Sequence, residues 1–210
     1  MLKENRRHLE HLLYFLKDLK QTGAIAPSSK FLAKDLVFHL KKRLLKGDCA
    51  PLKILEIGAG TGPLTKQIAK LLRPQDQLDI VEIHKKFYQI VKKKYQCENI
   101  HPHHTDILKF KSTYNYDFIF SSLPYENMPE HISRNIWQKK LNLCKPEACI
   151  SYFKYVKFRN FKNDFEEQVV KKYVQSKKIV LRNLPPAKVY TLEINEPSNH
   201  KPLTESANVA

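Results

Sequence analysis

The sequence predicts an α/β fold in which a mostly parallel sheet carries helices on both faces. Two observations lead to this fold class. Apolar, strand-like segments alternate with amphipathic, helix-like segments through most of the chain, and the first strand runs into a glycine-rich loop. At 210 residues the chain is long enough for one such domain with a full core, and short for two.

The N-terminal part of the chain predicts two helices before any strand. Leucines at helical spacing predict an amphipathic helix over about residues 2–20, and an apolar loop follows over residues 23–29, reading GAIAPSS. Ser28 or Ser29 can cap a second helix that runs to about Leu45. These elements form a helical extension ahead of the predicted sheet.

Strands and helices then alternate up to a closing pair of strands. The predicted strands lie near 52–57, 77–83, 98–104, 116–122, 148–156, 178–184 and 187–194. The predicted helices lie near 62–72, 84–95, 130–143 and 160–174. Only Pro185 and Pro186 separate the last two strands, which predicts that these strands are antiparallel neighbours. We expect an N-terminal unit over residues 1–46, a core over 47–195 and a flexible polar tail over 196–210.

The chain is strongly basic, with 37 Lys and Arg against 21 Asp and Glu and a net charge of +16. Such a field attracts polyanions, which means nucleic acid or an anionic membrane face. The four cysteines form no C-x-x-C pair and no zinc-ligand spacing, so no metal site is predicted. No apolar run approaches the roughly 18–20 residues of a membrane span, and the N-terminus shows no signal-peptide pattern. We expect a cytoplasmic protein, or one lying on the cytoplasmic face of the membrane.

The segment from Leu52 to Gly62, LKILEIGAGTG, is the most informative part of the chain. Its apolar strand ends in Glu56, and glycines then occupy alternate positions. Because glycine has no Cβ, such a loop lets a ligand approach bare backbone. The spacing is G-x-G-x-G, which differs from the G-x-G-x-x-G that cradles a dinucleotide. A second strand ends in Glu82 roughly 20 residues later, at the spacing expected for an acceptor of ribose hydroxyls.

The motif E-x-G-x-G-x-G after a strand resembles the first motif of class I S-adenosylmethionine-dependent methyltransferases. The resemblance implies a Rossmann-like, seven-stranded sheet and S-adenosylmethionine as cofactor. Glu56 would organise the loop or accept from the amino group of the cofactor, and Glu82 would bind the ribose. Asp106 would meet the adenine amine, or it would only cap the turn at Ile107. The residues assigned to the cofactor in this way are Glu56, Gly58, Ala59, Gly60, Gly62, Glu82, Ile83, Asp106, Ile107 and Ser122.

The fourth strand ends in SSLPY, residues 121–125, at the edge of the sheet where ligands bind. This text resembles the N/D/S-x-P-aromatic signature of methyltransferases that modify amino nitrogens, and the alternative is a plain turn. A carbonyl or hydroxyl near Ser122 would orient an N–H group, while the ring of Tyr125 would steady an amine by cation–π contact. The implied catalytic residues are Ser122, Tyr125 and Glu56, and the proton acceptor is Glu56, Tyr125 or water.

Two families of amine methyltransferases share this core. The ribosomal RNA adenine dimethyltransferases carry N-hydrophobic-P-Y in the fourth motif, where this chain has Ser122 in place of Asn. Nearly the whole chain resembles the bacterial phospholipid N-methyltransferases, which make phosphatidylcholine from phosphatidylethanolamine. The matching segments are GAIAPSS at 23–29, EIGAGTG at 56–62, S-x-L-P at 121–124 and RNLPPAKVY at 182–190.

The second resemblance implies methylation of phosphatidylethanolamine and its mono- and dimethylated products by a peripheral enzyme on the inner face of the cell membrane. The first helix would lie on an anionic membrane surface, or it would simply pack on the sheet. No nucleic-acid partner is implied. Two alternatives stay open: an RNA N6-adenine methyltransferase and a non-catalytic binding module. The residues expected at the substrate are Ile25, Pro27, Ser28, Ser29, Leu123, Pro124, Tyr125, Lys154, Arg159 and Arg182.

Overall fold

The fold is described from a computed structural model, which covers residues 30–47, 50–125, 128–156, 164–183 and 185–195. The predicted helix over residues 2–20, the GAIAPSS loop and the polar tail lie outside these residues. Within the described part, the chain alternates between strands and helices from Lys53 onward, as the sequence predicts.

Seven strands form one sheet in the order β3-β2-β1-β4-β5-β7-β6. The strands are β1 Lys53–Ile57, β2 Gln77–Glu82, β3 Ile100–His104, β4 Tyr116–Ser121, β5 Cys144–Tyr155, β6 Val174–Val180 and β7 Ala187–Ile194. All neighbouring pairs from β3 to β5 are parallel, whereas β7 runs antiparallel to both β5 and β6. The predicted seven-stranded sheet with an antiparallel closing pair is therefore confirmed.

The described helices lie on both faces of the sheet. They are α1 Lys30–Leu36, α2 Phe38–Leu45, α3 Pro63–Ala69, α4 Lys85–Lys94, α5 Glu130–Asn142 and α6 Asp164–Tyr173. Adjacent β1 residues show the division: Ile54 packs into a cluster with Leu36 and Leu64, while Leu55 packs into a second cluster with Trp137 and Phe165. This alternation is expected when both faces of a parallel sheet are buried.

The second predicted helix is divided into α1 and α2 at Val37. The division is slight, because the N–H of Lys41 still donates to the carbonyl of Val37 over 2.9 Å. Leu32, Leu36 and Leu40 are fully buried and belong to the same cluster as the sheet residues. Residues 30–45 therefore pack on the core, and the domain boundary at residue 46 stays a prediction.

Two strands begin earlier than the sequence predicts. β5 begins at Cys144, not Ala148, because a bulge in its pairing with β4 lets the chain pair once with Tyr116 before the regular register starts. Glu147 lies in this bulge with φ at 63°, a left-handed conformation that the sequence does not predict. β6 begins at Val174, directly after α6, where no turn residue marks the boundary.

The carboxyl ends of the parallel strands meet at one edge of the sheet. Ile57 at the end of β1 pairs with Val81 of β2 on one side and with Ser121 of β4 on the other. This edge holds the glycine loop, the end of β2 and the start of the SSLPY segment. Open parallel sheets bind their ligands at such an edge.

Candidate active site

Glu56, at the end of β1, is a fully buried carboxylate. Neither of its oxygens has a hydrogen-bond partner within the part of the chain that the structure describes. Burial raises the pKa of Glu56 to about 8; Thr65 on α3 offsets part of this rise, and the charge of Glu82 adds to it. A buried carboxylate of this kind needs either a proton or a cationic donor.

The glycine loop after Glu56 leaves backbone open to a ligand. Gly58, Gly60 and Gly62 all have positive φ, at 78°, 56° and 85°. A Cβ at Gly58 would come within 3.0 Å of Leu123, so this glycine is needed for packing. A Cβ at Gly60 would meet nothing within 4 Å, so space remains beside the loop at this position. The loop thus combines one tight contact with one open side.

Glu82 ties the glycine loop to the end of β2. Its Oε2 accepts the N–H of Gly60 over 2.8 Å, and its Oε1 accepts the N–H of His84 over 2.8 Å. Each carboxylate oxygen offers about two lone-pair sites, so each keeps one for a further donor. The side chain is therefore fixed in place and still able to accept two hydroxyl groups.

These features fit S-adenosylmethionine. The unpartnered oxygens of Glu56 suit the amino group of the methionine part, which is a cationic donor. The open side of Gly60 gives room for the ligand, and Glu82 suits the ribose hydroxyls. The contacts of these residues with a bound cofactor remain predictions, and so do those of Ala59 and Ile83.

Asp106 follows β3 and caps the turn that starts there. Its Oδ1 accepts the N–H of Leu108 over 2.9 Å, and its carbonyl accepts the N–H of Lys109 over 2.9 Å. This is the capping role that the sequence leaves open as an alternative. Ile107 beside it is buried in the core. The assignments of Asp106 and Ile107 to the adenine stay predictions.

Ser122 and Leu123 are held against the glycine loop. The N–H of Ser122 donates to the carbonyl of Ile57 over 2.9 Å, while Leu123 contacts Gly58. Ser122, Leu123 and Pro124 are all half-buried. The structure thus brings the end of β4 together with the predicted cofactor residues, and the roles of Ser122, Leu123 and Pro124 at the methyl group stay predictions.

Tyr125 is buried, and its ring is not open to a substrate in this structure. Its hydroxyl lies 2.7 Å from the hydroxyl of Ser121, and its ring stacks on Trp137 with centroids 5.3 Å apart. The ammonium group of Lys140 lies 4.5 Å from the ring centroid of Tyr125. The cation–π position that the sequence assigns to a substrate amine is therefore taken by a lysine of the chain itself. Roles of Tyr125 in substrate binding and catalysis remain predictions.

Lys140 belongs to a buried aromatic cluster behind Tyr125. Its Nζ is 2.9 Å from the ring centroid of Trp137 and 5.4 Å from that of Tyr152. The side chain is fully buried, and its Nζ has no hydrogen-bond partner among the described residues. Burial lowers the pKa of Lys140 well below its usual range, against a partial rise from Glu166. No sequence motif marks this lysine, which reads as part of an ordinary amphipathic helix.

The candidate cations for a lipid phosphate differ in the contacts that they make with other residues of the chain. Lys154 pairs with Glu166 over 3.0 Å, and the other oxygen of that buried carboxylate accepts the hydroxyl of Tyr152. Arg182 is exposed and lies over the ring of Phe31 at 5.4 Å. Arg159 lies outside the described residues, as do four candidates of the GAIAPSS loop: Ile25, Pro27, Ser28 and Ser29.

Sequence reasoning missed Tyr95, which follows α4. Its hydroxyl donates to the carbonyl of Gly62 over 3.2 Å, and a Cβ at Gly62 would come within 3.3 Å of its ring. Burial and the nearby charge of Glu56 raise the pKa of Tyr95 to about 12. Tyr95 thus closes the glycine loop from the α4 side, and nothing in its local sequence indicates this contact.

The described part of the chain contains no helix long and apolar enough to span a bilayer.

A family model described as ribosomal RNA adenine dimethylase matches residues 29–182. An ornithine lipid N-methyltransferase from Singulisphaera acidiphila is 25% identical over 186 residues, which cover 84% of this chain and 90% of that protein. A malonyl-(acyl-carrier protein) O-methyltransferase from Bacillus cereus is 30% identical over 111 residues, covering 52% of this chain and 40% of that protein.

Solved structures share the fold at low sequence identity. The N-methyltransferase NodS from Bradyrhizobium japonicum, in complex with S-adenosyl-L-homocysteine, has a TM-score of 0.62 and 13% identity, and the match covers 82% of this chain and 91% of that chain. The magnesium protoporphyrin IX methyltransferase from Synechocystis, with bound S-adenosylmethionine, has a TM-score of 0.60 and 10% identity, covering 78% and 80%. Both place the same sheet in proteins that bind this cofactor or its demethylated product.

Proposed function

The chain belongs to the ribosomal RNA adenine dimethylase family and is a class I methyltransferase that uses S-adenosylmethionine, and from this premise we propose that it N-methylates the amine of a membrane lipid. The substrate we propose is phosphatidylethanolamine, together with its mono- and dimethylated products. The observation that carries the proposal is the relative that methylates ornithine lipid, since its match covers most of both chains.

Ornithine lipid and phosphatidylethanolamine present a similar chemical problem. Each offers a primary amine, protonated in water, on a headgroup that stays in the membrane. The amine must lose a proton before it can attack, and a desolvated position near a positive charge lowers its pKa. The resemblance of the GAIAPSS and RNLPPAKVY segments to phospholipid N-methyltransferases supports phosphatidylethanolamine as the substrate.

The residues of the chain would act mainly by positioning. S-adenosylmethionine supplies an electrophilic methyl group, so catalysis requires nitrogen, methyl carbon and sulfur in line. Glu56 would hold the cationic end of the cofactor and Glu82 its ribose, while Ser122 would orient the amine. Burial raises the pKa of Tyr125, so its hydroxyl stays protonated and is a poor base. Of the other two acceptors, water fits better than Glu56 as long as Glu56 is paired with the amino group of the cofactor.

The predicted N-terminal helix would bring the enzyme to the lipid. Its leucine face and basic flanks suit the plane of an anionic interface, where each basic residue is worth ~1 kcal/mol. Several leucines and lysines together suffice for reversible binding, which Glu4, Glu10 and Asp18 weaken. We therefore propose peripheral association with the inner face of the cell membrane.

A second candidate function is N6-adenine methylation of RNA. The description of the matching family model and the net charge of +16 favour it. Ser122 argues against RNA methylation. The fourth motif of the ribosomal RNA adenine dimethyltransferases has an Asn at this position, whose amide can both accept from and donate to the base, whereas a serine offers one hydroxyl.

Transfer of labelled methyl from S-adenosylmethionine tests the two functions side by side. The acceptors are vesicles of phosphatidylethanolamine with anionic lipid, vesicles of ornithine lipid with the same anionic lipid, and total RNA. We expect label in the phosphatidylethanolamine fraction. Label only in ornithine lipid would show that the substrate is a membrane lipid but not phosphatidylethanolamine. Label in RNA would establish the second function. The Glu82→Ala variant should label none of the three and serves as the background.

A further inference from the structure

The end of β6 lies at the same edge of the sheet as the candidate active site. Because β7 is antiparallel to both β5 and β6, those two strands run in the same direction. Ala187 of β7 pairs with Tyr155 at the end of β5 and with Val180 at the end of β6. The residues that follow these two strands therefore share the carboxyl edge with the glycine loop.

Large apolar side chains are exposed at this end of the edge. Phe31 on α1 is 45% exposed, Val156 after β5 is 52% and Leu181 after β6 is 77%. We call these three residues the apolar rim. Single exposed apolar residues are ordinary, but a group at one end of a sheet indicates a binding surface.

Contacts between α1 and β6 hold this surface together. The guanidinium of Arg182 lies over the ring of Phe31 at 5.4 Å. One helical turn further on, Asp35 pairs with Lys178 over 2.5 Å. Phe31 is thus fixed beside the end of β6, and the rim is a feature of the packed fold.

The charges around the apolar rim are almost all positive. Five exposed basic residues belong to α1 or to the 177–182 segment: Lys30, Lys34, Lys177, Lys178 and Arg182. Asp35 is the one acidic residue in these two described segments, and it is paired with Lys178. An apolar centre with a basic surround matches the interface of an anionic bilayer, where apolar side chains enter and ammonium groups stay at the headgroups.

We propose that the apolar rim inserts into an anionic membrane leaflet and turns the open edge of the active site toward the lipid headgroups. This inference rests on the proposed lipid substrate and adds a contact that is separate from the N-terminal helix. A second copy of the chain fits less well, because a two-fold contact would bring the basic surround against itself. RNA fits less well too, since phosphate contacts need the cations and leave exposed aliphatic side chains unused.

The placement also suits the reach of a headgroup. β6 is separated from β4 by β5 and β7, so Leu181 after β6 lies about three strand spacings, or roughly 14 Å, along the edge from the end of β4, whereas Val156 after β5 lies about one spacing away. Interfacial elements insert to about 5–10 Å, which covers the rim side chains without burying the edge itself. A lipid beside the rim could therefore present its amine at the edge without leaving the leaflet.

Vesicle co-sedimentation of the full-length chain tests the rim. Leu181→Glu is the test variant, and Leu45→Glu is its matched control, because Leu45 is 76% exposed and lies at the far end of α2, away from the carboxyl edge. With vesicles of phosphatidylethanolamine and phosphatidylglycerol, we expect Leu181→Glu to lower the partition coefficient about tenfold and Leu45→Glu to change it less than twofold. Unchanged thermal unfolding of both variants would show that they fold.

Equal changes in the partition coefficients of the two variants, or no change in either, would contradict the proposal that the apolar rim inserts into the leaflet. Loss of self-association in Leu181→Glu alone would contradict the proposal and assign the apolar rim to a contact between copies of the chain. Loss of binding to a single-stranded RNA probe in Leu181→Glu alone would contradict the proposal and assign the rim to RNA. Methylation of a short-chain, water-soluble phosphatidylethanolamine separates this inference from the proposed function. We expect Leu181→Glu to retain that activity and to lose activity on vesicles. If the wild type methylates neither lipid form, the proposed function fails, while the partition measurement still decides the rim.

Discussion

Glu82 holds Gly60 through a hydrogen bond of 2.8 Å from the backbone N–H to Oε2, so the acid that is expected to bind the ribose also shapes the loop in front of it. The same carboxylate accepts the N–H of His84. Loss of this side chain therefore removes two internal hydrogen bonds together with the expected contact to the ribose.

We expect Glu82→Ala to weaken binding of S-adenosylhomocysteine at least 100-fold, since hydrogen bonds to a charged acceptor contribute about 1.5–3 kcal/mol each. Gly60→Val should have a comparable effect, because φ at 56° strains a β-branched residue and its side chain would fill the open side of the loop. Titration calorimetry measures both. Glu98→Ala, an exposed acid, is the control. Normal affinity in both variants would remove these residues from the cofactor site.

Glu56→Gln should change how stability depends on pH. Because burial raises the folded pKa of Glu56 to about 8, the folded state retains a proton that the unfolded state releases above about 4.5. The wild type should therefore lose stability as pH rises through this window, and Glu56→Gln should not. The difference in unfolding free energy between variant and wild type should grow by on the order of 2–4 kcal/mol from pH 5 to pH 8. Urea unfolding at several pH values measures it, and parallel curves would contradict it.

The same carboxylate predicts a proton released on cofactor binding. If the amino group of S-adenosylhomocysteine pairs with Glu56, the pKa of the carboxylate falls and its proton leaves at pH 7. Calorimetry in buffers of different ionisation enthalpy should show a release of up to one proton, which Glu56→Gln abolishes. Release unchanged in Glu56→Gln would place the proton on another group.

Lys140→Met should stabilise the protein at neutral pH. Desolvation of an ammonium costs several kcal/mol, which exceeds the roughly 2 kcal/mol of a buried cation–π contact with Trp137. Because burial lowers the folded pKa, the unfolded state binds more protons and wild-type stability rises with pH. The advantage of Lys140→Met should therefore be largest near pH 6 and shrink toward pH 10 in thermal melts. A variant less stable at every pH would show that the cation holds the aromatic cluster together.

Tyr125→Phe should separate a structural from a catalytic role of the hydroxyl. The variant removes the 2.7 Å contact with Ser121 and leaves that buried hydroxyl without its partner, which costs about 1–2 kcal/mol. We expect methyl transfer to fall less than tenfold, because the protonated phenol is not a useful base. A loss of 1000-fold with an intact fold would instead make Tyr125 a catalytic residue. Phe120, buried in the preceding strand, offers the matched control Phe120→Leu.

Removal of residues 1–20 should weaken vesicle binding without preventing cofactor binding. The N-terminal helix and the apolar rim are expected to contribute separately, so the truncated protein should keep a weaker binding that Leu181→Glu removes. Flotation with vesicles and calorimetry with S-adenosylhomocysteine measure the two properties. Unchanged flotation of the truncated protein would assign the first helix a purely structural role.

The cofactor could be predicted from sequence because the pattern that indicates it is local. Glycines at alternate positions after Glu56 and an acid at the end of the next strand indicate S-adenosylmethionine without any knowledge of tertiary contacts, whereas the hydrogen bond from Gly60 to Glu82 was not predicted. The seven strands were predicted for the same reason, since alternating apolar segments report burial directly.

The rest of the site depends on contacts between distant segments. Lys140 and Tyr125 read as an exposed helical lysine and an open aromatic ring. Only the packing of α5 on the sheet shows that Lys140 is buried and that its ammonium group lies over the ring of Tyr125. Tyr95 reaches Gly62 across the loop, and Glu147 adopts a left-handed conformation that no neighbouring residue announces. Such features follow from tertiary geometry that spacing does not encode.

Within the described residues, β3 and β6 are the two edge strands of the sheet, which matters if the proposed membrane association concentrates the protein on a surface. Crowding in two dimensions favours strand pairing between neighbouring copies and so the growth of aggregates. Pro102 interrupts the backbone donors of β3, and Lys177 and Lys178 place charge along β6. Both edge strands therefore resist pairing with a neighbouring copy, which would let the proposed membrane-bound protein reach high density on a leaflet without aggregation through its strands.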